Sequence, residues 1–148
     1  SEMCIRDRDI IVTAISGQVP LLKAKDVKSG TLYIHVGGWE DEYAVALKAN
    51  KIVCDDWNAS KHRTQTISRM YMEGILKDED IYADLAEIIT GKKLGREKDD
   101  EFIYFNSVGL SFIDLNFANE IYKQACKLGL GQEVMLTETD AISYKNFI

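Results

Sequence analysis

Three short segments hold the residues with which this chain could do chemistry: Thr13-Ala14-Ile15-Ser16-Gly17, Val36-Gly37-Gly38-Trp39 and Cys54-Asp55-Asp56. Each closes an apolar run and gathers glycines, hydroxyls or carboxylates. Glycine lets a flat ring approach the backbone, and a hydroxyl can bond an amide or a ribose. The same residue types also make ordinary strand-to-loop turns, and spacing alone does not separate the two readings. A fourth segment, Asn106-Ser107-Val108-Gly109, reads as a strand-to-helix turn. Its free N–H groups could attract an anion or a polar ring, and Ser107 serves equally well as a helix N-cap. Asp55 and Asp56 have no third ligand at metal-binding spacing, so capping or a ribose contact is expected and no metal site. Lys61, Arg63 and Arg69 could grip a carboxylate or phosphate. A solvated helix face is the expected role for the run Lys61-His62-Arg63-Thr64-Gln65. His62 has no carboxylate partner in sequence and reads as structural. Met70, Tyr71 and Met72 read as packing residues, and Glu97 to Glu101 as a solvated acidic loop.

The elements that must position these residues follow from the apolar pattern. Asp9 to Ile15 is a β-branched run apolar on both faces, which predicts a buried parallel strand. Further strands are predicted over Thr31 to Val36, Lys51 to Cys54 and Glu101 to Phe105, with a last one over Gln132 to Leu136. A helix is predicted over Glu42 to Ala49, with Val45 and Leu47 as its apolar positions. Another spans Asn58 to Glu73, closed by Gly74. Asp78 to Thr90 has the clearest helical pattern: Asp78 caps it, Ile81, Leu85, Ile88 and Ile89 share a face, and Gly91 follows. A long helix with Leu110, Ile113, Phe117, Ile121 and Leu128 at helical spacing ends at Gly129. Strand, helix, strand at this spacing is the βαβ signature of an α/β fold with a parallel sheet.

Bulk properties narrow the function classes. The chain has 148 residues, room for one ordinary domain, with the 46% hydrophobic and 28% charged balance of a soluble globular protein. A net charge of -6 with no basic stripe argues against a nucleic-acid partner. No apolar run is long enough to span a bilayer, so no membrane partner is expected. The three cysteines Cys4, Cys54 and Cys126 are odd in number and far apart, which suits reduced thiols in a cytoplasmic setting. The opening Ser1-Glu2-Met3-Cys4-Ile5-Arg6-Asp7 reads as the translation of a common transposase sequencing adapter. Residues 1–8 are therefore expected to be a non-native scar, with the true protein beginning upstream.

In order along the chain, Asp9-Ile-Ile-Val-Thr-Ala14 with Pro20, Gly30-Thr31 leading to Val36-Gly37-Gly38, and Lys51-Ile-Val-Cys-Asp55-Asp56 form a recognisable series. It continues through Gly74, Asp80-Ile81, Leu85-Ala-Glu87-Ile-Ile-Thr-Gly91, Gly95-Arg96 and Phe105-Asn-Ser107-Val-Gly109-Leu with Asp114. Over residues 9–136 this series resembles the ornithine cyclodeaminase/mu-crystallin family. The resemblance implies that residues 9–106 are the second half of a Rossmann-like NAD(P)-binding domain. Residues 107–136 would be a returning helix and strand toward a substrate and dimerisation domain, and residues 137–148 a tail. It implies NAD or NADP, an amino-acid or cyclic-imine substrate, and a homodimer at full length. Thr13 and Ser16 would lie near the nicotinamide ribose, Val36 and Gly37 along the ring, and Ser107 near the carboxamide. Cyclodeaminases of the family carry a catalytic Asp directly after the glycine pair. Here Trp39 stands there, followed by Glu40-Asp41-Glu42-Tyr43. Either the carboxylate has shifted to Glu40 or Asp41, or the general base is not used and the chemistry differs. Trp39 would wall the pocket and exclude water. The expected parent activity is ornithine cyclodeaminase-like, acting on an amino acid by hydride transfer through an imine. The alternatives are an amino-acid dehydrogenase or ketimine reductase of the same family, or a non-catalytic binding protein of mu-crystallin type.

Overall fold

The computed structural model describes residues 5–132 and 134. The chain divides into two compact units, residues 1–110 and 111–148. The first is built on five parallel strands: β1 (Ile10–Thr13), β2 (Leu32–His35), β3 (Lys51–Cys54), β4 (Ala83–Asp84) and β5 (Ile103–Asn106). Their spatial order is β1-β2-β5-β3-β4. The helices are α1 (Tyr43–Lys48), α2 (Trp57–Ser60), α3 (Thr66–Met72) and α4 (Leu85–Ile89), and the second unit holds α5 (Ser111–Leu128).

β3 is buried at all four positions, as its unbroken apolar reading demands of a strand covered on both faces. In β2 and β5 burial alternates, with Tyr33, His35, Tyr104 and Asn106 on the enclosed face. That face packs with Ile11, Val45, Ile67, Met70 and Phe102 into one core. β1 departs from the expected fully buried strand. Only Ile11 is buried, while Ile10 and Val12 are 58% and 57% exposed, because β1 is an edge strand with β2 as its one sheet neighbour.

Three helix expectations are corrected. On α1 the buried pair is Val45 and Ala46, and Leu47 is exposed. The stretch predicted as one helix from Asn58 to Glu73 is broken into α2 and α3. Asp56 caps α2 by accepting from Ala59 N at 2.9 Å, and Ser60 turns its hydroxyl back to the Asp56 carbonyl at 2.6 Å. The strongest helical pattern, Asp78 to Thr90, is a 3-10 turn (Asp78–Asp80), then β4, then α4. Tyr82 N donates to Ile52 O at 2.8 Å, and Val53 and Cys54 pair with Ala83 and Asp84. The open edge of β3 offers backbone partners that outweigh local helical periodicity. α4 keeps a capping box from Asp84 and Glu87.

Glu97 and Glu101 are not simply solvated: both pair with the buried Lys51 ammonium, at 2.6 and 3.3 Å. Met70 lies in the core and Met72 is exposed. Of the residues expected to be a scar, Ile5 packs against the core and Arg6 pairs with buried Asp26 at 2.7 Å. Cys4, the tail 137–148 and most of the strand expected over Gln132 to Leu136 lie outside the described residues. α5 forms as predicted, and its apolar residues Phe112, Leu115, Phe117, Ile121 and Tyr122 are exposed. Among the described residues no helix is long and apolar enough to cross a membrane.

Candidate functional site

Parallel pairing brings the last residues of the five strands into one row: Thr13, His35, Asn106, Cys54 and Asp84. The loops that leave this row are tied to one another. Val36 N donates to Thr13 O at 2.9 Å, Ser107 N to His35 O at 2.8 Å and Asp55 N to Asn106 O at 3.0 Å. Trp39 N reaches Gly17 O at 3.3 Å, and a parallel bridge joins Leu22 to Asp41. Thr13, Gly37 and Ser107 thus follow neighbouring strands out of the same sheet edge, where an open parallel sheet binds ligands. Ala14, Ile15, Ser16 and Val36 form its exposed lip.

The glycine pair has a reason internal to the chain. A Cβ on Gly37 would overlap the Glu40 carboxylate and the Ile15 carbonyl, and one on Gly38 would press on Gly17 O at 2.9 Å. The glycines let the loop after β2 close onto the loop after β1. Glu40 completes that closure, accepting from Ile15 N and, at 3.3 Å, from Gly37 N. Trp39 is half-buried beside Tyr43, with the Arg69 guanidinium 4.9 Å over its ring.

Beneath the lip is a buried polar cluster. Gln65 Nε2 donates to Val36 O (3.2 Å), Gly37 O (3.0 Å) and Ser107 O (2.9 Å), so one amide ties two strand-end loops together. Its Oε1 accepts from Asn106 Nδ2 at 2.8 Å, and Asn106 Oδ1 meets His35 Nδ1 at 2.8 Å. His35 Nε2 lies 3.7 Å from both Glu40 Oε2 and Asp41 Oδ1. Asp41 also accepts from Thr66 Oγ1 at 2.5 Å and the Tyr104 hydroxyl at 3.2 Å. Burial raises the Asp41 carboxyl above the usual carboxylate range, against the opposing pull of His35, Thr66 and Tyr104.

Glu40 and Asp41, the shifted carboxylates considered as catalytic groups, are both 0% exposed and committed to these internal partners. Enclosure of this kind suits a positioning role better than contact with a substrate. Ser107 donates to Asp55 Oδ2 at 3.1 Å, and the same oxygen accepts from Val108 N and Gly109 N, each at 2.9 Å. The free N–H groups expected to attract an outside anion are therefore taken by Asp55. Asp56 is the cap of α2. Thr13 Oγ1 is bonded to the Tyr33 hydroxyl at 2.8 Å, and Ser16 stands exposed on the lip. Gln65, read as part of a solvated run, is buried. His35 escaped the sequence reading, and Asn106 was read only as part of a strand-to-helix turn. Their one signal was a polar residue ending each apolar strand, and a side chain's partners across a sheet are not local in sequence. The groove of about 680 Å³ lined by His62, Tyr71, Gly74, Lys77 and Asp78 shares no residue with the strand-end row.

The profile of the ornithine cyclodeaminase/mu-crystallin family matches residues 1–128. The chain belongs to this family. It is 33% identical over 136 residues to a Δ(1)-pyrroline-2-carboxylate reductase of Bacillus cereus, covering 88% of this chain and 41% of the relative. The structure of Thermococcus litoralis Δ(1)-pyrroline-2-carboxylate reductase in complex with NADH and L-proline matches with a TM-score of 0.80 at 29% identity, over 90% of this chain and 43% of that one. An archaeal alanine dehydrogenase dimer with bound NAD gives a TM-score of 0.79 at 31% identity, over 92% and 43% of the two chains. The chain thus spans less than half the length of the family members it matches. Within the family, its α/β sheet is the Rossmann-like second half expected from sequence.

Proposed function

We propose that the chain is the nicotinamide-side half of an NAD(P)-dependent oxidoreductase that interconverts an imine and an amino acid. The observation that carries this reading is the burial of Glu40 and Asp41, with Trp39 standing directly after the glycine pair. A cyclodeaminase needs a carboxylate free to manage the attacking amine beside the imine. Here that place holds an indole, and the neighbouring carboxylates are turned inward. Reduction of a preformed imine, or oxidation of an amino acid, makes less demand on such a base. The relatives named as reductases and dehydrogenases support the same side of the family.

Bound at the strand-end lip, the cofactor would supply or accept the hydride. Ser16 on the exposed lip and Thr13 at the end of β1 would face the ribose, and Val36 and Gly37 would line the ring. Ser107, its own proton directed to Asp55, presents lone pairs suited to accept the carboxamide N–H. Trp39 walls the pocket and keeps water from the reacting carbon. The exposed side of β1 suits pairing with a further strand, so the phosphate-binding half of the sheet would join there. A second copy is the expected partner.

The test is a full-length protein carrying this chain, assayed by absorbance of the reduced nicotinamide. Consumption of NADH or NADPH with a cyclic imino acid such as Δ(1)-pyrroline-2-carboxylate is the expected result. Ammonia release from ornithine with no net change in nicotinamide would instead establish a cyclodeaminase.

A further inference from the structure

We infer that Gln65 is a positioning residue of the strand-end lip: its buried amide sets the spacing between the loops after β2 and β5, and so the fit of the ring held there. The identity of that ring rests on the nicotinamide reading above, while the spacing rests on contacts within the chain. Gln65 is buried and stands directly before α3. Its Nε2 donates to Val36 O at 3.2 Å, Gly37 O at 3.0 Å and Ser107 O at 2.9 Å, and its Oε1 accepts from Asn106 Nδ2 at 2.8 Å. Only an NH₂ group can face three carbonyl oxygens, so the partners fix which way the amide points. Its two hydrogens serve three acceptors, and one hydrogen is therefore shared.

These acceptors belong to different loops: Val36 and Gly37 follow β2, and Ser107 follows β5. The sheet joins the two loops once, through Ser107 N to His35 O at 2.8 Å. Beyond that bond, the hydrogen bonds that join them among the described residues pass through Gln65. Asn106 extends the tie to the strand ends, since its Oδ1 meets His35 Nδ1 at 2.8 Å.

The helix behind Gln65 is the fixed ground for this tie. Ile67 and Met70 of α3 lie in the core, and Ser68 donates to Ser60 O at 2.7 Å. From the same helix Thr66 holds Asp41 at 2.5 Å, and the Arg69 guanidinium lies 4.9 Å over the Trp39 ring. The loop from Val36 to Asp41 is thus held from α3 at its start, its middle and its end. Without the Gln65 amide, the carbonyls of Val36, Gly37 and Ser107 would lose their donor and turn toward water. The loops would part at the three residues proposed to line the ring, and hydride transfer tolerates little error in ring placement.

The test is Gln65→Met, which keeps the reach of the side chain and removes the amide. In the full 148-residue chain, hydrogen exchange at the Val36 and Ser107 amides should rise about tenfold relative to the β3 amides, a local opening rather than global unfolding. Exchange unchanged from wild type would overturn the inference. A full-length protein carrying the chain supplies the second readout, kcat/KM for NADH divided by kcat/KM for its 3-acetylpyridine analogue, which lacks the carboxamide NH₂. That ratio should fall about tenfold in the variant, because the misplaced loops discriminate the missing donor less well. The amount of active enzyme cancels from it, so a variant that is only less stable leaves it unmoved. Faster exchange with NADH turned over and the ratio unmoved would overturn the positioning role and leave the nicotinamide reading intact. A wild-type protein that uses neither cofactor would sink that reading, and the exchange rates would still decide the spacing. If Gln65→Met does not fold, the wild-type side-chain amide decides. Its protons should exchange at least about tenfold more slowly than those of the exposed Gln18 and Gln124, and equal rates would overturn the tie.

Discussion

Asp55 shows how a single side chain at a strand end can define the neighbouring turn. One of its oxygens accepts from Ser107 Oγ, Val108 N and Gly109 N. Asp55→Ala should therefore cost about 1–2 kcal/mol, water compensating in part because Gly109 is exposed, and urea unfolding would measure it. A loss below the error of the extrapolation would mean that these bonds contribute nothing net. Asp41 gives the second residue-scale prediction. Its carboxyl is raised by burial in the folded chain, whereas in the unfolded chain it titrates near about 3.9. The native state thus holds the proton more tightly. The associated stability is complete below the unfolded value and is lost as pH rises through the interval up to the raised one. Asp41→Asn keeps acceptors for Thr66 and Tyr104 and should flatten that part of the stability–pH curve. An unchanged slope in urea midpoints across the acid range would contradict the assignment.

At the scale of elements, four of the five strands and the helices α1 and α5 were legible, and the segments between β3 and β5 were not. Ile10–Thr13, Leu32–His35 and Lys51–Cys54 fall inside the predicted runs and Ile103–Asn106 overruns its run by one residue, because β-branched and aromatic residues bounded by turn formers leave few alternatives. The helical reading of Asp78 to Thr90 failed at β4, a two-residue strand whose existence depends on the vacant edge of β3. No periodicity within the segment could announce a partner some thirty residues away. The other edge yields a prediction. Val12 is exposed on β1, whose outer edge has no strand neighbour among the described residues and invites another chain. Val12→Lys should lower self-association of the chain in sedimentation velocity while moving the unfolding free energy by only about 0.5 kcal/mol. Association unaffected by this change would place the sticky surface elsewhere, the exposed apolar residues of α5 being the next to alter.

At the scale of the whole molecule, the chain contains the strand-end lip proposed for the nicotinamide but no Gly-x-Gly-x-x-Gly phosphate loop. Taken alone, it should bind NADH no more tightly than the millimolar range, since most dinucleotide affinity comes from the phosphates at a helix N-terminus. A fluorescence titration with micromolar affinity would show that this half suffices by itself. What the amino-acid sequence determined unaided was the α/β class, the parallel strands and the family, all of which rest on local apolar patterning and on motifs kept in chain order. Only the tertiary structure decided that Glu40 and Asp41 face inward, that Gln65 is a buried tie between loops, and that His35 and Asn106 belong to the same cluster. Burial and hydrogen-bond partnership are set by residues 25 to 71 positions apart, brought together by strand register. Those distances vanish only once the sheet has formed.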